Sequence, residues 1–283
     1  MDYVNPEALV STRWLADRLE SPELRVVDGS WHMPQLQRDA RAEFGAGHVP
    51  NAVFFDIDRI ADTGNPLPHM LPDAEAFARA VGALGIGSDA HVVAYDTVGM
   101  GSAARVWWTF RAFGHDKVSV LDGGLPKWRA EGRPVESGAP APRPANYSAR
   151  LDPALVRDLD QVRADVDSGA EQILDARTRG RFAGTEPEPR PGLRGGHMPG
   201  ALNQPYLELY DGDAKTMRQA AELRALFRNA GLSMAKPVVT SCGSGVTACN
   251  LALALFLIGK RDVAVYDGSW TEWGGRDDTP IES

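Results

Sequence analysis

The run Val238-Val239-Thr240-Ser241-Cys242-Gly243-Ser244-Gly245-Val246-Thr247 reads as a short strand, a tight glycine loop and the start of a helix. In an open α/β sheet, the crevice where a strand hands over to a helix is where ligands bind. Gly243 and Gly245 allow the backbone to curl so that the amides of Gly243, Ser244, Gly245, Val246 and Thr247 turn inward as an anion-binding nest. The following helix adds its positive N-terminal end. A cysteine at the mouth of such a loop is placed to act as a thiolate nucleophile. A lone cysteine is more often a buried structural residue, and Cys249, within the apolar helix, keeps that reading. The loop around Cys242 argues for chemistry. Phosphatases also seat a cysteine in an anion-cradling loop, but they grip phosphate with an arginine where this chain has Ala248. That absence argues strongly against phosphoryl transfer.

The elements that must hold this loop come from a duplication. His91-Val92-Val93-Ala94-Tyr95 resembles Pro237-Val238-Val239-Thr240-Ser241, and Gly47-His48-Val49-Pro50 recurs as Gly196-His197-Met198-Pro199. Asp122-Gly123 before Trp128 recurs as Asp267-Gly268 before Trp273, and Val27-Asp28 matches Leu174-Asp175. These landmarks keep their order at offsets of 145 to 149 residues, which means two tandem domains rather than a solenoid. The stretch ESGAPAPRPAN from residue 136 has no apolar period and three prolines, the composition of a semi-rigid linker. It divides a domain of residues 1–140 from one of residues 151–283, with the linker at about 136–150.

Within the second half, residues 172–175, 237–240 and 263–266 form short apolar runs suited to a buried parallel sheet. Residues 218–230 and 247–258 read as helices, and the first half repeats the plan at 91–95, 105–113 and 118–121. The fold class is thus α/β, with a mostly parallel sheet flanked by helices in each half. The helix at 247–258 has almost no polar face beyond Asn250, so it belongs between its sheet and the neighbouring domain.

The duplication also supplies an internal control. Aligning the valine pairs puts Asp96 opposite Cys242. A carboxylate cannot replace a thiolate nucleophile, so the first half should be catalytically silent. His48 and His197, present in both halves, should fix a turn, as should Asp28 and Asp175 at strand ends.

Composition narrows the setting. In 283 residues, 43% are apolar and 24% charged, enough for a large core. The net charge of −8 argues against a broad nucleic-acid surface, so an anionic substrate must be held by local arginines. Two cysteines cannot build a disulfide framework, and no cluster has metal-ligand spacing. No GxGxxG follows the opening strand of either half, so neither metal nor nucleotide cofactor is expected. The N-terminus lacks the pattern of a signal peptide, and no apolar stretch is long enough to span a membrane. The expectation is a soluble, cytoplasmic protein that uses no membrane.

The loop from Cys242 to Thr247 resembles the active-site loop of the 3-mercaptopyruvate sulfurtransferases within the rhodanese superfamily. The resemblance covers both halves, the linker and the Tyr266-Asp267-Gly268-Ser269-Trp270-Thr271-Glu272-Trp273 segment. Thiosulfate-preferring members usually carry basic residues directly after the cysteine, where this chain has neutral Gly243 and Ser244. The resemblance implies two rhodanese-like domains and sulfur transfer from 3-mercaptopyruvate through a Cys242 persulfide, with release of pyruvate. It implies acceptors such as a low-molecular-weight thiol, thioredoxin or cyanide. Arg181 and Arg190 match arginines that bind the substrate carboxylate and carbonyl, a task suited to a planar guanidinium. Asp58 and His69 match residues that pair with Ser244 in a relay across the domain interface. Arg177, Arg179 and Arg194 match no such role and read as surface or interface residues. The alternatives are a thiosulfate:cyanide sulfurtransferase, which shares all but the neutral loop, and a non-catalytic sulfur-carrier module, which has little need of the arginines.

Overall fold

The computed structural model describes residues 2–283. The first half contains strands β1 (Leu9–Val10), β2 (Leu24–Asp28), β3 (Ala52–Phe54), β4 (His91–Tyr95) and β5 (Val118–Leu121). They form one parallel sheet in the order β1-β5-β4-β2-β3. The second half repeats it with β6 (Val156–Arg157), β7 (Gln172–Asp175), β8 (Leu202–Asn203), β9 (Val238–Ser241) and β10 (Val263–Tyr266). Their order, β6-β10-β9-β7-β8, is the same winding, again parallel throughout. The inner strands β4, β5, β9 and β10 are buried almost end to end, as expected for sheets covered on both faces.

Helices α1 (Thr12–Ala16), α2 (Ala40–Ala46), α3 (Ala74–Ala83), α4 (Ala103–Ala112) and α5 (Gly124–Ala130) serve the first sheet. Helices α6 (Leu159–Ser168), α7 (Arg179–Phe182), α8 (Ala220–Asn229), α9 (Ala248–Leu257) and α10 (Ser269–Trp273) serve the second. Helix α8 starts later than periodicity suggests because Gln219 and Glu222 exchange side-chain and backbone bonds as a capping box.

One apolar core spans both halves, and each half also has a smaller cluster of its own on the outer face of its sheet. Every residue of α9 is buried, and α9 packs against α4 across the interface, with Trp107 and Phe256 5.5 Å apart between ring centroids. A helix without a polar face is stable only in such a place. The extreme N-terminal chain also crosses over: Val4 N donates to Leu257 O at 2.8 Å, and Asn5 Nδ2 to Phe256 O at 2.6 Å. Between α5 and the short 3₁₀ turn Pro153–Leu155 the chain is extended, and it is pinned to the first half where Ala145 N donates to Gly82 O at 2.9 Å.

The duplicated histidines perform the same task twice. Nδ1 of His48 meets Phe44 O at 2.8 Å and Nδ1 of His197 meets Phe182 O at 2.9 Å. Each ring stacks on that phenylalanine.

Candidate active site

Cys242 follows β9 directly and is 1% exposed, at the base of a cleft of about 540 Å³ between the halves. The loop that follows is braced from behind by the segment after β10. Ser269 Oγ accepts from Cys242 N at 3.2 Å, Trp270 N donates to Cys242 O at 3.0 Å, and Thr271 donates twice to Gly243 O. Gly245 has φ +74°, and a Cβ there would stand 2.7 Å from Asp267 O, so only glycine serves.

What this loop geometry can hold is displayed by the first half. Asp96, in the matching place after β4, is 1% exposed, and its carboxylate accepts six backbone N–H groups. Oδ1 receives Val98, Gly99 and Met100 at 2.8–3.1 Å; Oδ2 receives Gly101, Ser102 and Ala103 at 2.7–2.9 Å. The loop after this strand is therefore an anion cradle. In the first half the chain's own carboxylate fills it, whereas in the second half the corresponding side chain is the short thiol of Cys242.

Two guanidinium groups overhang the cleft. Arg181 reaches the loop so closely that a Cβ on Gly243 would lie 3.1 Å from its Nη2. It is oriented by Glu188, which accepts from Nη2 at 2.6 Å and from Nε at 3.2 Å. Glu188, 1% exposed at its side chain, also accepts from Arg177 Nη1 at 2.8 Å, and Arg177 pairs with buried Asp175 at 2.7 Å. An alternating ladder, Asp175–Arg177–Glu188–Arg181, thus rises from the end of β7 to the cleft. Of the two readings for Arg177, surface or interface, the structure rules out the surface. Its side chain is fully buried, stacked 4.1 Å from the Trp270 ring centroid and bonded to Gly196 O. Such a charge is tolerable only because two carboxylates flank it. Arg194 spends its donors on the C-terminal segment, at Trp273, Gly274 and Thr279, while Arg179 lies exposed against Glu208.

Arg190 is placed differently. Among the described residues its hydrogen-bond partner is Nε2 of His69, 3.3 Å from Nη2, and burial pushes its pKa down. A guanidinium only donates, so Nε2 accepts and the ring proton lies on Nδ1. That nitrogen sits 2.9 Å from Asp58 Oδ1, a short contact angled off the ideal hydrogen-bond line. Trp31 fixes the pair, donating from Nε1 to Asp58 Oδ2 at 3.1 Å and meeting the His69 ring edge-on at 4.8 Å. Burial lowers the His69 pKa and so keeps the ring neutral, although Asp58 pulls the other way. Asp58 is held below the usual carboxylate range, chiefly by His69.

The structure therefore joins Asp58 and His69 but not the third member of the expected relay. Among the described residues no hydrogen bond links His69 to Ser244, which lies in the loop at 5% exposure. Arg190 occupies the histidine nitrogen instead. Val246 and Thr247 line the cleft with Gly243 and Ser244. Cys249 is fully buried, its Sγ donating to Gly245 O at 3.2 Å, and burial drives its thiol pKa far upward. Glu188, Trp31, Arg105 and Asp267 are the contributors that sequence reading passed over. A second cavity, of about 360 Å³ beside Arg38, Glu43 and Arg129, lies in the first half away from Cys242.

Known proteins resemble this chain over most of its length. The profile of the Rhodanese-like domain matches residues 11–131 and again 158–276. The human 3-mercaptopyruvate sulfurtransferase is 47% identical over 272 residues, covering 94% of this chain and 91% of that one. A thiosulfate sulfurtransferase of Cricetulus griseus is 48% identical over 273 residues, with the same coverage of 94% and 91%. The crystal structure of SseA, a 3-mercaptopyruvate sulfurtransferase of Escherichia coli, superposes with a TM-score of 0.86 at 40% identity, over 93% of this chain and 98% of that one. The chain belongs to the rhodanese family, with two rhodanese-like domains in tandem.

Proposed function

We propose that the protein transfers sulfur from 3-mercaptopyruvate to a thiol or cyanide through a persulfide on Cys242. The observation that carries this reading is a cysteine at the place where Asp96 of the first half gathers six backbone amides, in a cleft lined by Arg181 and Arg190. The Cys242 thiolate attacks the donor sulfur, the carbon–sulfur bond breaks, and its electron pair passes to the departing enolate. Protonation of the enolate carbon gives pyruvate, and the outer sulfur rests in the amide nest. The acceptor then attacks that outer sulfur, the S–S bond breaks, and Cys242 returns as thiolate; cyanide leaves as thiocyanate. This is double displacement with a covalent intermediate.

In this reading Arg190 takes the donor carboxylate and Arg181 the carbonyl and developing enolate oxygen. His69, held neutral with its proton on Nδ1, can accept at Nε2 once the donor draws Arg190 away. Ser244 then completes the path from donor thiol to enolate carbon, and Asp58 holds the tautomer. The first half supplies Asp58, His69 and one wall of the cleft and makes no persulfide. The division near residues 136–150 follows from that separation of roles. The physiological acceptor is a small thiol or thioredoxin, and the setting a reducing one such as the cytoplasm. No helix among the described residues is long and apolar enough to cross a membrane.

Thiosulfate is the second candidate donor, favoured by the 48% identity to a thiosulfate sulfurtransferase. Pyruvate release from mercaptopyruvate with dithiol or cyanide, measured beside thiocyanate formation from thiosulfate, decides between them. A higher kcat/KM for thiosulfate would displace the mercaptopyruvate reading. Cys242 persulfide without turnover on either donor would leave a carrier module.

A further inference from the structure

One arginine from the silent half touches both walls of the site. Arg105, on α4, is 2% exposed. Its Nη1 donates to Asp267 Oδ1 at 2.6 Å and to Gly245 O, inside the cysteine loop, at 3.2 Å. Its Nη2 donates to the backbone carbonyl of His69. Asp267 completes the bracket by accepting from Leu71 N at 2.7 Å. His69 and Gly245 both have positive φ, +64° and +74°, conformations that need outside support in a non-glycine residue such as His69.

The repeat shows that this bracket is more than a means of gluing the halves together. Arg105 is the third residue of α4, and the third residue of α9 is Asn250. Asn250 Nδ2 reaches across in the opposite sense to Gly101 O, in the Asp96 loop, at 2.9 Å. Asp122, the counterpart of Asp267, accepts from Met217 N across the interface at 2.8 Å. The same cross-brace is thus built twice, around a pseudo-twofold axis. Only the copy that holds the cysteine loop has a guanidinium paired with a carboxylate, and only that copy also grips a histidine beside the site.

We propose that Arg105, held by Asp267, is a positioning residue for sulfur transfer, keeping the Cys242 loop and His69 at a fixed separation across the domain interface. The proposal rests on the persulfide reading above. It differs from a purely structural account because an amide suffices to brace the silent loop, whereas the reactive loop must be held in register with a group on the opposite half. Displacement of reacting groups by about an ångström costs roughly 100-fold in rate.

The test compares Arg105→Met, Arg105→Lys, the charge-free pair Arg105→Met/Asp267→Leu, and Asn250→Ala as the control brace. For mercaptopyruvate, Arg105→Met should lose roughly 100-fold in kcat with KM changed less than about threefold. Arg105→Lys, which keeps the charge but lacks the fork, should recover only part of that loss. The double variant leaves neither buried charge unpaired and so should melt above Arg105→Met, though below the parent because Leu71 N loses its acceptor, yet its kcat should stay as low as that of Arg105→Met. Asn250→Ala should lower Tm and leave kcat within about threefold. His69 faces Asp58, Arg190 and Arg105, so losing the Arg105 cation should move the acidic limb of the kcat/KM profile to higher pH. Parental kcat in the folded double variant, or an unmoved acidic limb in Arg105→Met, would overturn the proposal. Hydrogen exchange at the amides of residues 243–247 needs no donor. Faster exchange there in the Arg105 variants, with an unchanged rate in Asn250→Ala, supports the bracket even should the parent fail to turn over mercaptopyruvate. Equal exchange in all of them refutes it. Failure of the parent to release pyruvate counts against the donor reading alone.

Discussion

The two cleft arginines should respond differently to removal, because Glu188 treats them differently. Arg190 has no carboxylate among its hydrogen-bond partners in the described residues, so its donors are free to meet an incoming keto-acid. Arg190→Ala then removes a charge-assisted hydrogen bond worth about 1.5–3 kcal/mol, or roughly 10- to 150-fold in kcat/KM for mercaptopyruvate. Arg181 already gives Nε and Nη2 to Glu188. Its removal costs the same donor contact and also leaves Glu188, 1% exposed at its side chain, with Arg177 as its remaining cationic partner beneath the cleft. Arg181→Ala should therefore fall at or beyond the upper end of that range, and it should also lose about 1–3 kcal/mol of stability. The assay is pyruvate release under kcat/KM conditions, run beside decay of preformed Cys242 persulfide with cyanide. Cyanide has no carboxylate to lose, so the second half-reaction should change less than about threefold in Arg190→Ala. If both variants kept parental mercaptopyruvate efficiency, the carboxylate clamp would lie elsewhere. If Arg190→Ala depressed the cyanide step as much as the donor step, the arginine would be serving the loop rather than the substrate.

Three further outcomes follow from the same geometry. Cys242→Ser should abolish turnover, and mass spectrometry after donor treatment should place one added sulfur on Cys242 and none on Cys249, which lies fully buried against Gly245 O; persulfide on Cys249 would reverse the assignment. Asp96→Ala unmasks six amide donors in a loop that also lines the cleft, so it should cost at least about 3 kcal/mol in denaturant titration and raise KM, while persulfide still forms on Cys242. Asp122 has its pKa raised by burial to about 6, above its unfolded value, so the fold penalises its charged form; its own contribution to stability should fall as pH rises from about 4 to 6 and stay level above. Asp122→Asn, whose amide oxygen still accepts from Met217, should flatten that dependence in thermal melts and gain on the order of 2 kcal/mol at neutral pH; an unchanged pH profile would refute it.

The sheets, the cysteine loop and its aspartate counterpart in the first half were legible because each is written locally: short continuous apolar runs, a Cys-Gly-x-Gly step after a strand, an aspartate at the repeated place. Arg177 was less legible for the opposite reason. ARTRGR, followed by proline-rich TEPEPR, looks like a solvated loop, and only the fold brings Asp175 and Glu188 to both sides of that guanidinium. His69 followed the same rule. The sequence suggested its partner Asp58 by resemblance, but not that Arg190 would hold its free nitrogen, since that contact joins two halves 121 residues apart. Buried charge across an interface has no period and no motif of its own. The duplication nevertheless offers a way to look for it. Pairs that stay alike in both halves, such as His48 and His197, perform the same fold-making task. Pairs that diverge mark where the halves took different work: Asp96 against Cys242, and Arg105 against Asn250. The first divergence can be found by aligning two strands. The second needs the structure, because what distinguishes Arg105 from any arginine on a tryptophan-rich helix is that Asp267 and His69 come from opposite sides of the cleft to meet it.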